Sequence, residues 1–430
     1  MSRIGFLADD LTGAADVLAQ AHAQGLDAAL SLDPHGPLPG AADVVGIAGP
    51  SRALAGEALE AAVREGLRPF ADEDLDVFLY KVCSTFDSSP TVGNIGRAIE
   101  LLHEQWPEHG AIAVAPAQPE FGRYTAFSQH FGLYNGEVYR LDRHPVMSRH
   151  PATPMDEADL RAVIAAQQSA PALVEQIHLP AYSDGTFAGQ WRQRRAGAGA
   201  FVVDAVDPGH MDEVAAALLA DIDRAVVVGS GGIMAALARR RGRGAVRATG
   251  VTSASGPALA VSASASATTA DQIEDAVAAG WVEIAVPGEA FDQPTPAGAW
   301  VDATAAALRD GRNVIAHTLR GTEDPRMRLG AFDSGDVGGT IGRLARTMVE
   351  RGLTRDIAIF GGDTSSHALL ALGVTELRVS EQFVTAGPIC RADDRSPVAD
   401  CRLLLKGGQV GPVDILRRFV GAPASPKGTS

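Results

Sequence analysis

The feature that most limits the fold of this chain is a rhythm. Apolar runs of four or five residues alternate with turn residues and then with segments of helical spacing. In the first half the runs include Ile4–Ala8, Ala28–Leu32, Val44–Ala48, Val77–Lys81, Ile112–Ala115, Phe201–Asp204 and Ala225–Val228. In the second they include Leu259–Ser262, Val282–Val286, Asn313–Ala316, Ile357–Phe360 and Leu403–Leu405. Runs that are apolar on both faces, each followed by a helix, are the pattern of parallel strands covered on both sides. The rhythm therefore predicts an α/β protein. At 430 residues the chain is too long for one ordinary core. From Gly244 to Pro257 the composition shifts to Gly, Ala, Ser and Thr, which places a junction there. The expected domains are 1–245 and 256–420, each a mostly parallel, Rossmann-like sheet with flanking helices, and residues 421–430 are read as a flexible tail.

Charge and cysteine content narrow the partners. With 37 Lys and Arg against 52 Asp and Glu, the net charge is −15, which argues against nucleic acid or an anionic membrane surface. A small anionic ligand stays compatible, because that depends on local donors. The 46% hydrophobic and 21% charged residues exclude wholesale disorder. Cys83, Cys390 and Cys401 form no CxxC pair, so neither a disulfide framework nor a zinc knuckle is indicated. No apolar stretch reaches membrane-spanning length and the chain enters a strand by Ile4, so the expected location is the cytoplasm.

Polar residues recur where the first-half runs end. Ile4–Ala8 stops at Asp9-Asp10, and Leu11-Thr12-Gly13 opens an Ala-rich helix. Two adjacent carboxylates perturb each other's protonation and suit chemistry better than packing. The alternative, that Asp10 or Thr12 caps the helix while Asp9 faces water, is left open. If they are chemical, strand alternation sends the pair to opposite sides, with Asp10 toward the crevice as the base. Later exits deliver Ser51-Arg52, then Lys81-Val82-Cys83-Ser84-Thr85, then Arg123. A cationic, hydroxyl-rich set facing two aspartates suits a small polyhydroxy acid. Asn135-Gly136 marks a hairpin. The following His144–Pro151 reads as an extended, proline-stiffened loop that shapes a pocket and tunes the acid accepted through His150, without a metal.

Glycines and serines mark the later junctions. Gly229-Ser230-Gly231-Gly232 enters a helix and could hold phosphate, although it is not a dinucleotide fingerprint. Three similar junctions recur in the second half: Ser262 to Thr269 with Ser264 and Ser266, Gly361-Gly362-Asp363-Thr364, and Lys406-Gly407-Gly408. Backbone N–H groups and small side chains allow close approach of a polyphosphate. Asp363 is available for magnesium and Lys406 for phosphate, so the three together indicate a nucleotide site.

Taken together, these motifs resemble the four-carbon acid sugar kinase family over nearly the whole chain. The resemblance rests on Ala8 to Ala14, Lys81 to Thr85, Gly122-Arg123, Ser264 and Ser266 with Thr269 and Gln272, Gly361 to Thr364, and Lys406 to Gly408. It implies a sugar-acid-binding first domain, an ATP-binding second domain and phosphorylation of the terminal hydroxyl of acids such as threonate, erythronate or 3-oxo-tetronate. Ala263 stands where the family usually has glycine, and His144–Met155 resembles only a subset of members. The implied site lies in an interdomain cleft, with Asp10 or Asp9 as the catalytic carboxylate and with Arg52, Lys81, Ser84, Thr85, Arg123 and His150 toward the acid. ATP and Mg2+ are the implied cofactors, with no protein metal site beyond a contact from Asp363, and a homodimer is left open. A nicotinamide-dependent hydroxy-acid dehydrogenase would need an early GxGxxG, which is lacking. A non-catalytic sugar-acid sensor would not need three phosphate-like junctions.

Overall fold

The computed structural model describes residues 3–150, 152–170, 173–221, 224–245, 252–321, 324, 334–384 and 387–421. The side chain of Asp363, residues 246–251 of the expected junction and 422–430 of the expected tail lie outside the described residues. The chain divides into two compact units, Met1–Val246 and Arg247–Ser430.

In the first unit the strands are β1 (Arg3–Ala8), β2 (Ala28–Ser31), β3 (Val44–Ala48), β4 (Leu75–Lys81), β5 (Ile112–Ala115), β6 (Arg123–Ala126), β7 (Gln129–Tyr134), β8 (Glu137–Arg140), β9 (Glu175–Ile177), β10 (Ala200–Val203) and β11 (Ala225–Gly229). Eight of them form a parallel arrangement in the order β2-β3-β1-β4-β11-β5-β10-β9. The central strands are buried on both faces, which is why they are apolar without alternation. Phe70 packs edge-on against Phe78 within the core, and the partly buried Trp106 ring lies tilted against Phe78. The helix Leu11–Ala23 starts where the Asp10 side chain accepts from Gly13 N–H.

The hairpin at Asn135-Gly136 is present, with both turn residues at positive φ, but it is part of a larger element. β6, β7 and β8 form a separate antiparallel sheet, so Arg123 begins a strand rather than sitting in an exit loop. The turn between β6 and β7 places Phe127 at φ 51° and Ser128 at φ 64°. Left-handed backbone costs a non-glycine residue roughly 1–2 kcal/mol. Asp204 offsets this by accepting from both turn amides, Phe127 N–H at 2.6 Å and Ser128 N–H at 2.9 Å. The stretch after β8 is not extended: 3-10 turns form at Leu141–Arg143 and Met147–Arg149. His144 Nδ1, at 3.2 Å from the amides of Val146 and Met147, supplies the local acceptor that bends the chain there.

The second unit contains β12 (Ala258–Ser262), β13 (Val282–Ala285), β14 (Val314–His317), β15 (Asp356–Phe360), β16 (Glu376–Val384), β17 (Gly387–Ala392) and β18 (Arg402–Lys406). Their order is β13-β14-β12-β15-β18-β17-β16. The first five are parallel, whereas β17 runs antiparallel to both β16 and β18. The β16–β17 pair was not expected from sequence. Most of β16 is half-buried and carries Arg378, Glu381 and Gln382, so it offers no apolar run. No helix among the described residues is long and apolar enough to cross a membrane.

Candidate active site

In the first unit, β3, β1 and β4 are neighbours and parallel, so their carboxyl ends open on one edge. The backbone knits those exits together: Asp9 N–H donates to Lys81 O at 3.0 Å and Arg52 N–H to Asp9 O at 3.1 Å. On this frame the Arg52 guanidinium forks onto both carboxylates. Its Nε and Nη2 donate to Asp9 at 3.1 and 2.8 Å, and Nη1 and Nη2 to Asp10 at 2.7 and 2.9 Å. The expectation that alternation parts the two aspartates is corrected here. Asp10 has left the strand for the helix cap, its Oδ1 2.6 Å from Gly13 N–H, so the backbone turn brings both acids to one cation. Capping and charge chemistry thus coexist in one residue.

Both aspartates are buried, as is Lys81. The Cβ that Gly13 lacks would lie 2.8 Å from Asp10 Oδ1, 3.0 Å from Lys81 Nζ and 3.6 Å from Asp9 Oδ1. A larger residue at Gly13 would fill the space these groups share. Lys81 Nζ donates to Val82 O at 2.9 Å. Burial raises the proton affinity of Asp10 and the like charge of Asp9 adds to it, against the pull of Arg52, Lys81 and the Gly13 amide. Burial opposes the Arg52 charge, but Asp10 and Asp9 outweigh it and hold the guanidinium protonated. The arrangement can accept a proton from a hydroxyl without losing its cationic partner.

The remaining expected residues are distributed unevenly. Thr85 Oγ1 donates to Asp87 at 2.6 Å and lies 3.0 Å from Cys83 Sγ. The Ser84 hydroxyl has no hydrogen-bond partner among the described residues, while its carbonyl is held by His130 Nε2 at 2.8 Å. Arg123 Nη1 donates to the carbonyls of Phe121, Gly122 and Leu133, whereas its buried Nε has no hydrogen-bond partner among the described residues. Its charge interacts with Cys83 and Asp87, which relates it to the Lys81–Thr85 exit. His150 Nδ1 is engaged by Thr153, and among the described residues no hydrogen bond links it to the cluster. His130 escaped the sequence reading, since a lone histidine in a half-apolar strand carries no motif. The glycine turn Gly229 to Gly232 packs closely against the chain itself: a Cβ on Gly231 would sit 2.0 Å from Asp16 Oδ2, and Gly232 N–H donates to Ser230 Oγ at 3.2 Å.

In the second unit the three glycine- and serine-rich junctions follow β12, β15 and β18, which are adjacent and parallel. Their loops meet. Thr269 Oγ1 donates to Gly408 O at 2.8 Å, and Gln272 Nε2 reaches the carbonyls of Val410, Gly411 and Pro412 at 3.0–3.1 Å. A Cβ at Gly408 would lie 2.6 Å from Ser264 Oγ and 3.1 Å from Ser266 Cβ, so bare backbone faces the serines. Gly361 has φ 147°, a conformation that favours glycine, and Gly362 looks into open space. Ala263 is not among the residues with positive φ, so its methyl group imposes no backbone strain. Lys406 turns inward: Nζ lies 2.9–3.3 Å from Thr269 Oγ1, Gly407 O and Gly408 O and 4.3 Å from the centre of the Phe360 ring. Burial lowers its pKa to about 7. Groups of three or more His, Cys, Asp or Glu able to hold a metal do not occur among the described residues.

The family model described as a sugar-binding N-terminal domain matches residues 4–237, and that of a nucleotide-binding C-terminal domain matches residues 259–416. The chain is 32% identical to a 3-oxo-isoapionate kinase of Paraburkholderia graminis, over 95% of this chain and 92% of the relative. It is 28% identical to a 3-oxo-tetronate kinase of Methylobacterium radiotolerans, over 96% of this chain and 98% of the relative. A solved structure from Salmonella typhimurium LT2 superposes with a TM-score of 0.78 at 22% identity, covering 97% of this chain and 98% of that one, which speaks for the fold alone. On these matches the chain belongs to the four-carbon acid sugar kinase family.

Proposed function

We propose that this protein is an ATP-dependent kinase acting on the terminal hydroxyl of a four-carbon acid sugar of the threonate, erythronate or 3-oxo-tetronate type. The observation that carries the reading is the Arg52 fork on Asp9 and Asp10 beside buried Lys81. Phosphoryl transfer demands positioning and charge neutralisation more than covalent chemistry. Asp10, its proton affinity raised, takes the hydroxyl proton. Asp9 and Arg52 fix its orientation, while Lys81, Ser84, Thr85 and Arg123 hold the acid. The second unit takes the nucleotide. Ser264, Ser266, Gly361, Gly362, Thr364, Gly407 and Gly408 offer small side chains and amides, and the fit is supported by the open space beside Gly362. ATP with Mg2+ would supply the phosphoryl group and screen its charge, with Asp363 as the contact on this chain.

A coupled ADP-release assay tests the reading. The panel is threonate, erythronate, 3-oxo-tetronate and the 3-oxo-isoapionate named for the 32% identical relative. ADP release that depends on one of these acids is expected. Release that is independent of every acid, or none at all with Mg-ATP present, would sink it.

A further inference from the structure

We propose that His130 is a positioning residue that sets which acid the first unit accepts, by fixing the spacing between Ser84 and Arg123. The proposal rests on the reading that the Lys81–Thr85 exit binds the acid. A carbonyl can only accept, so the 2.8 Å contact with Ser84 O puts the ring proton on His130 Nε2. Nδ1 is then the acceptor, and the Thr125 hydroxyl at 2.9 Å donates to it. Thr125 and His130 face each other across β6 and β7. Burial lowers the imidazole's pKa to about 4, so the ring stays neutral and keeps this tautomer around neutral pH.

The hairpin carrying these residues is held at several points. Its turn amides are tied to Asp204, and His130 N–H donates to Ala158 O at 2.9 Å. Arg123 opens the same hairpin, pairs with Gly132 and donates to Leu133 O. One ribbon therefore carries the Arg123 guanidinium and also grips the backbone of Ser84, and among the described residues neither the buried Arg123 Nε nor the Ser84 hydroxyl has a hydrogen-bond partner. A guanidinium suits the anionic end of a sugar acid, and a hydroxyl suits an alcohol group further along it. The distance between them measures chain length. A histidine that were merely a satisfied core residue would serve stability alone.

The test uses the full-length enzyme with three variants and acids differing by one carbon. His130→Leu removes the grip, Thr125→Val removes the donor that fixes the tautomer, and His130→Gln keeps an N–H donor for Ser84 O. For His130→Leu the acid's kcat/KM should fall about tenfold, on the scale of one pocket contact. The ratio among acids should change while KM for ATP stays put. Thr125→Val should show a smaller change in the same direction, and His130→Gln should restore much of the loss. If His130→Leu does not fold, Thr125→Val and His130→Gln carry the test through the same ratio. Variants that lose thermal stability with an unmoved acid ratio, or that shift both KM values alike, would overturn the proposal. A wild-type enzyme that turns over none of the acids would remove the kinase reading and this proposal with it, an outcome distinct from an active enzyme whose ratio does not move.

Discussion

The first four strands of each unit share one arrangement, β2-β3-β1-β4 in one and β13-β14-β12-β15 in the other. In both, the chain steps to one side of its first strand and then returns to lay the fourth strand on the opposite side. Ligands in open α/β sheets collect at the carboxyl ends where the strand order reverses. That point falls between β1 and β4 in the first unit and between β12 and β15 in the second. What the two edges present there is opposite in kind. The first offers buried acidic and basic side chains, Asp9 and Asp10 gripped by Arg52, with Lys81 beside them. The second offers Ser264, Ser266, Gly361 and Gly362, with a lysine folded beneath the loop. Topology selects the place and residue type sets the two edges apart: buried charge at one, small side chains and missing Cβ atoms at the other.

The strongest test of this division is Asp10→Asn, which removes charge and keeps shape. A positioned base contributes roughly a hundredfold to ten-thousandfold, so kcat should fall by about that much while ATP still raises the melting temperature. The pH profile adds a check. Protonation disables a base, so kcat/KM should fall as pH drops through a value above the 3.8 of an ordinary aspartate. Near-normal kcat in Asp10→Asn, with loss in a folded Asp9→Asn, would exchange their roles. Gly408→Val probes the other edge. A side chain there would meet Ser264 and Ser266 and shift the junction, so ATP affinity should weaken roughly tenfold, on the scale of one pocket contact, with sugar-acid affinity unchanged. An unchanged ATP affinity in the folded variant would end the assignment of nucleotide to the second unit. The mildest effect concerns Lys406, whose pKa is about 7. The protonated form favours an anion, so ATP affinity should weaken severalfold as pH rises from below 7 to above 8, at most tenfold per pH unit beyond the pKa. Lys406→Met should flatten that dependence in a calorimetric titration, and a persistent slope would assign it to another group.

Much of this was legible because buried parallel strands announce themselves as uninterrupted apolar runs. Ile4–Ala8 and Ile357–Phe360 could be read directly, and so could the polar or glycine residues that end them. β16 was hidden because a half-buried strand with Arg378 and Glu381 lacks that signature, and β17, though buried, because Pro388 and Arg391 flank too short an apolar run. The role of Arg52 as a fork depends on a helix cap bending Asp10 back toward Asp9, a relation between distant turns that no spacing encodes. His130 was hidden for a related reason, since its partner is a backbone carbonyl 46 residues away. Lys406 was visible, but its inward orientation follows from Thr269 and the carbonyls of Gly407 and Gly408.

One consequence follows from Asp16. Its carboxylate lies against Gly231 and accepts from Gln118 Nε2 at 3.2 Å and Gln20 Nε2 at 3.0 Å. The turn after β11 thus keeps glycine at 231 because the Asp16 carboxylate fills the position a side chain would need. Any side chain at Gly231 would have to displace that carboxylate from its two glutamine donors.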